Sequence, residues 1–307
     1  MVLAAGRAAS IIGIVFVDEL FQANGGLATA QQLQTVMSRR SLAHHQKTGA
    51  IVRVWRGVYA LETPDVFARL AGLDLLSGKR MVACMATAAE LYGFNTERDQ
   101  VIHVLDPGVR MRPTTGLMIH QRVGAPLNRV GGRLATAPAW TAVEMARTLR
   151  RPRALAVLDA ALHCGACTCE EFDAAIDEQK GRRGIVNVRE LVVHADSRAE
   201  SAMESETRLV FIDGGLPLPE LQYEIVDRCG RLWRVDFAWP EAMLAVEYDS
   251  VEWHANPDAF KHDRLKISRL QDCGWSVMPI VVDDVRRTPF DLVARINGYL
   301  DGASLAS

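Results

Sequence analysis

No stretch of this 307-residue chain stays apolar for the ~18–20 residues that a membrane-crossing helix needs. One apolar segment, Ala8–Val17, is short and runs into Asp18-Glu19. Arg7 ahead of it gives the outline of a signal peptide, but no small-residue cleavage site follows, so a cytoplasmic protein is expected. Cysteine is scarce. The six residues Cys84, Cys164, Cys167, Cys169, Cys229 and Cys273 make no disulfide framework in a chain of this size, and reduced thiols are expected. Excess charge is lacking too: 35 Lys and Arg against 37 Asp and Glu leave −2, which excludes a uniformly basic nucleic-acid coat. Internal repeats and low-complexity tracts are absent, which excludes a solenoid or an array. What is present is an ordinary globular composition, 49% hydrophobic and 23% charged, at a length that predicts two or three domains.

The charge is unevenly spread. Arg39, Arg40, His44, His45, Lys47, Arg53 and Arg56 make 38–57 basic, with no acidic residue between them. Helical spacing predicts helices over 11–22, 30–36 and 39–48, with Thr29 and Ser38 as N-caps and Gly49 as the stop. Two β-type runs, Ile51–Trp55 and Val58–Leu61, follow around Arg56-Gly57. This is the order of a winged helix-turn-helix, in which the third helix presents Arg39, Arg40, His44, His45 and Lys47 to DNA while the wing carries Arg53 and Arg56. The competing reading is a small helical domain with a solvated basic face; the element order favours DNA.

The middle of the chain says less. A buried helix is expected over 81–91 and strands over 101–105 and 116–122, with helices over 141–149, 153–163 and 169–179. Thr168 and Glu171 form a capping box for the last. His163 with Cys164, Cys167 and Cys169 has ligand-like spacing, but no second pair accompanies it, so zinc is set aside. His103 and His120 fall on separate strands without a partner signature, and Gly131-Gly132 lacks the context of a phosphate cradle.

Further on, three carboxylates and a histidine gather. A helix is expected over 197–212, strands over 221–227, 232–239 and 243–249, a charged helix over 257–273, a strand over 276–282 and a last helix over 288–300. Asp236 sits on one strand, and Glu247 and Asp249, two apart on the next, share one face and can look toward it. Glu200 and Glu204, four apart on the preceding helix, share a face that can lean over them. Such an oxygen cluster repels itself unless a cation or raised pKa values relieve it, and it suits Mg²⁺ or Mn²⁺ beside a substrate phosphate. His254, just beyond, can serve as general base or proton donor. The alternative, solvent-facing residues of alternating strands, fits poorly with an apolar run such as Leu244–Val246. Lys261, His262, Arg264, Lys266 and Arg269 on the charged helix can brace phosphates.

Two resemblances follow from motifs in order. Ala195–Ser205, Gly215-Leu-Pro217, Val235-Asp-Phe-Ala-Trp-Pro240, Val246-Glu-Tyr-Asp249, Trp253-His254, Asp263-Arg264 and Gly274-Trp275 resemble the Vsr-like (very-short-patch-repair-like) endonuclease domains of the PD-(D/E)XK superfamily. The resemblance implies a restriction-endonuclease-like α/β core. It makes Asp236 the metal aspartate, Glu204 or Glu200 the helix carboxylate, and Asp249 and His254 the groups near the scissile phosphate. The superfamily's lysine is missing, since the third position of Glu247-Tyr-Asp249 is an acid, and Ser250 stands where glycine is frequent. Gly25–Leu33, Ser38-Arg-Arg-Ser-Leu42 and Arg53-Val-Trp-Arg-Gly-Val-Tyr-Ala60 resemble the winged-helix domain of AbiEi-type antitoxins of abortive-infection systems.

The expected architecture is therefore an α+β, multidomain chain. A winged helix occupies 10–61, a mixed α/β AbiEi-like middle domain 62–194, and a nuclease-like domain 195–301. One reading is a DNA-binding protein with a Mg²⁺- or Mn²⁺-dependent endonuclease domain, its metal held by Asp236, Glu247, Asp249, Glu204 and Glu200 and its chemistry assisted by His254. The other is an antitoxin or transcriptional autoregulator whose nuclease-like domain is inactive and whose partners are DNA and a cognate toxin protein. Neither reading implies a membrane or a small-molecule substrate.

Overall fold

The computed structural model describes residues 17–97, 100–111, 114–121, 124–249 and 257–304, which form helices and three sheets in two compact units, 1–141 and 142–307. The first unit opens with a helix α1 over 17–23, β1 (Leu27–Thr29), α2 (Ala30–Val36), α3 (Arg39–Lys47), β2 (Val52–Trp55) and β3 (Val58–Ala60). Thr29 and Gln32 build a full capping box at α2, and the Ser38 hydroxyl accepts from the Ser41 N–H at α3. Phe21, Ala28, Leu33, Leu42 and Ile51 close this module's core. β1 is not anticipated by the sequence pattern. Its three residues are too few to display a period of two, and they become a strand only by pairing antiparallel with β3.

Next come α4 (Val66–Ser77), β4 (Val82–Ala83), α5 (Met85–Tyr92), β5 (Ile102–Leu105), β6 (Leu117–His120), β7 (Leu127–Val130) and β8 (Arg133–Thr136), with sheet order β6-β5-β4-β8-β7. The helix expected over 81–91 is thus split. Val82 and Ala83 near its start are β4, the central strand, because so short an apolar run looks the same to a periodicity argument whether it is strand or helix. Gly131 and Gly132 make the two-residue turn between β7 and β8, both at positive φ, 53° and 75°, as such hairpins require. His103 and His120, placed by the sequence on separate strands without a partner signature, meet across the parallel β5–β6 pair with Nδ1 and Nε2 2.8 Å apart.

α6 (Pro138–Ala146) straddles the division between the units. The second unit continues with α7 (Arg151–His163), α8 (Cys169–Glu178), α9 (Ile185–Leu191), α10 (Ala202–Asp213), β9 (Glu220–Val226), β10 (Leu232–Trp239), β11 (Leu244–Tyr248), α11 (Pro257–Asp272), β12 (Ser276–Ile280), α12 (Val282–Arg286) and α13 (Pro289–Ser304). Its sheet order is β12-β11-β10-β9, with β11 and β12 parallel and the other pairs antiparallel. Phe211 of α10, Phe237 and Trp239 of β10, Val246 of β11 and Leu292 and Ile296 of α13 pack as its main core.

Gly184 caps α9 at φ 86°, and a Cβ built there would lie 2.2 Å from the carbonyl oxygen of Arg147. Gly184→Ala is therefore expected to cost at least about 2 kcal/mol, from backbone strain plus overpacking, read as a lower urea midpoint at an unchanged m-value.

Candidate functional site

The basic module presents its charge outward. Leu42 turns α3 onto the core, so Arg39, Arg40, His44 and Lys47 are exposed, and Arg53 and Arg56 are exposed on the β2–β3 hairpin. His45 is half-buried, and its carbonyl accepts the Ile51 N–H at 3.2 Å. Helical positions 40, 44 and 47 lie along one side of α3, and the hairpin follows directly in the chain.

The carboxylates gather in the second unit. Asp236 of β10 accepts the Tyr248 N–H of β11 at 2.9 Å. Glu204 of α10, 9% exposed, accepts the Glu200 N–H and the side-chain amide of Gln222, both at 2.9 Å. Glu247 of β11 is ion-paired with the ammonium of Lys266 on α11. Burial pushes the carboxyls of Asp236, Glu204 and Glu247 above the ordinary range. Asp236 adds to the rise at Glu204 and Glu247, while Lys266 opposes it at Asp236 and Glu247.

Glu200 departs from expectation. The helix expected to hold it with Glu204 starts only at Ala202, because the Ser201 hydroxyl caps it by accepting the Glu204 N–H at 3.1 Å. Glu200 therefore precedes the helix, and its carboxylate pairs with Arg234 at 2.8 Å. Asp249 is half-buried just past β11, its N–H donating to the Ile280 carbonyl at 2.7 Å. His254 lies outside the described residues.

Two residues of this cluster escape sequence reasoning. Gln222 carries no chemical signal between Leu221 and Tyr223, yet it sits at φ 52°, a left-handed backbone uncommon outside glycine, with its amide turned to Glu204. Lys266 reads as one cation among several on a charged helix. The fold brings its ammonium from α11 to Glu247.

A divalent cation such as Mg²⁺ requires several oxygens converging at about 2.1 Å. Among the described residues no three His, Cys, Asp or Glu side chains are placed to hold a metal ion. Asp236, Glu204, Glu247 and Glu200 each face a nitrogen donor instead. As arranged, the described residues do not fit a divalent cation.

Glu206, also on α10, has another task. It is 3% exposed and accepts from Arg286 at 2.7 Å and from Arg153 of α7 at 3.1 Å. Burial alone would raise its carboxyl, but the hydrogen bonds from Arg286 and Arg153 outweigh it and hold it below the ordinary value. A lowered carboxylate stabilises the fold above its unfolded pKa, about 4.3. That contribution is lost as pH falls through the folded pKa. Glu206→Gln is expected to weaken the fold at neutral pH and to flatten its acid-side loss; parallel urea curves for both proteins from neutral pH downward check this.

Residues 81–193 match the AbiEi antitoxin C-terminal domain. The chain is 62% identical over 270 residues to the uncharacterized protein Rv2248 of Mycobacterium tuberculosis (strain ATCC 25618 / H37Rv), covering 88% of this chain and 100% of that protein. The uncharacterized protein MT2308 of M. tuberculosis (strain CDC 1551 / Oshkosh) is similar to the same extent, 62% over the same 270-residue length. No helix among the described residues is long and apolar enough to cross a membrane.

Proposed function

We propose that this chain, which belongs to the family of the M. tuberculosis protein Rv2248, is a DNA-binding regulator of the AbiEi antitoxin kind. The observation that carries the reading is the AbiEi antitoxin C-terminal domain at 81–193, with the basic module ahead of it in the chain. The module's order of elements, with sheet order β1-β3-β2, supports a winged-helix reading, and its exposed arginines lie on the third helix and on the hairpin, where a winged helix would meet DNA. The implied macromolecular partners are the DNA upstream of its own gene and a cognate toxin protein.

The C-terminal part, 195–301, enters this reading as a nuclease-like domain without hydrolysis. Asp236 and Glu247 stand on neighbouring strands of its sheet, and among the described residues the donors around them leave no fit for Mg²⁺ or Mn²⁺. Two measurements test the proposal. The purified chain should retard a duplex from its own upstream region at micromolar protein or below; no shift on any duplex tried would remove the DNA reading. Supercoiled plasmid should stay intact with Mg²⁺ or Mn²⁺. Nicking by the wild type that is lost in Asp236→Ala would restore the enzyme reading, with Asp236, Glu247, Asp249, His254 and Glu204 as its residues.

A further inference from the structure

We infer that the ammonium of Lys266 is the built-in counter-charge of the Asp236 and Glu247 carboxylates and occupies the role a divalent cation would otherwise take there. The pair joins β11 to α11, with 17% of the Lys266 side chain and 23% of the Glu247 side chain exposed. Leu270, fully buried four residues on, puts the same face of α11 onto the core with Trp233, Val235 and Trp275, so the ammonium is delivered by helix packing. One oxygen of each neighbouring carboxylate is also served: Asp236 Oδ2 by the Tyr248 N–H and Glu204 Oε2 by the Gln222 amide. An incoming divalent cation would have to displace the lysine to use Glu247 Oε1, and would meet the ammonium's charge beside it.

The inference stands apart from the DNA reading of the first unit and makes a prediction of its own. A side chain that supplies positive charge covalently makes the native site indifferent to divalent cations. Its removal leaves buried carboxylates that must take up protons or a bound cation, and a cation added in excess stabilises the form that binds it. Lys266 thus masks a latent cation site.

The test is thermal unfolding of the full chain in EDTA and with Mn²⁺ or Ca²⁺ at about 1 mM, where weak oxygen sites fill. Wild type should melt at the same temperature in both. Lys266→Met, which keeps the stem and removes the charge, should melt lower in EDTA, by about 5 °C, and recover with cation. Lys266→Met with Glu247→Gln should lose the cation response. A rise in the wild-type melting temperature with cation overturns the inference, whether or not the variants fold. So does a Lys266→Met protein whose melting ignores cation.

Discussion

Asp159→Ala should produce the largest loss of stability, about 3–5 kcal/mol. Asp159 is 1% exposed on α7, and its carboxylate accepts from the Arg208 guanidinium of α10 and from the Asp196 N–H at 2.8 Å. Arg208 is 6% exposed and also donates to the His194 carbonyl. Truncating the acid leaves a buried guanidinium with one partner fewer and a backbone N–H unserved, and the desolvation already suffered by the cation is no longer offset. For a unit of this size each kcal/mol is worth about 2–4 °C, so the melting temperature should drop by roughly 10 °C. The double variant Asp159→Leu with Arg208→Leu should recover much of that, since a buried ion pair replaced by apolar side chains is often neutral. A single variant that melts within about 2 °C of wild type would show that the pair contributes little net energy. Asp159 lies in the AbiEi-matching segment, and α10 carries Glu204 to the carboxylate cluster.

The second large effect concerns DNA. Arg39→Ala with Arg40→Ala is expected to weaken duplex binding by about 10- to 100-fold at physiological salt and to lower the slope of log affinity against log salt by about 2 in magnitude. Both residues are exposed in the first turn of α3 and are held there by the Ser38 cap. Neither contributes to the module's core, so melting should be unchanged. Anisotropy titrations over a range of KCl concentrations measure both quantities. An unchanged slope would place the DNA contact elsewhere, and the same double change at the hairpin, Arg53→Ala with Arg56→Ala, would then show whether the β2–β3 hairpin carries it.

Local signals reported local structure well. Thr168 with Glu171 and Ser38 with Ser41 form the caps that their spacing announces, because a cap depends on residues three apart and on nothing distant. The basic run at 39–56 needed only Leu42 on the opposite face to become an exposed surface. Residues whose role depends on partners far along the chain were opaque. Lys266 is one of several cations on α11 until packing of Leu270 aims it at Glu247, nineteen residues earlier. Glu206 looks like Glu204 two positions before it, yet one is clamped by Arg153 and Arg286 while the other faces Gln222 and Asp236.

The sequence by itself determined the polarity of the basic module, its caps, and the placing of Asp236 and Glu247 on successive strands. Those follow from short-range periodicity and hydrogen bonding, which operate within a few residues. Tertiary structure alone decided that Val82–Ala83 would form a central strand instead of opening a helix, that Glu200 would pair with Arg234, and that Lys266 would stand against Glu247. The physical reason is that net charge and accessibility at a site are sums over every element packed around it, and helix docking chooses which charges enter that sum.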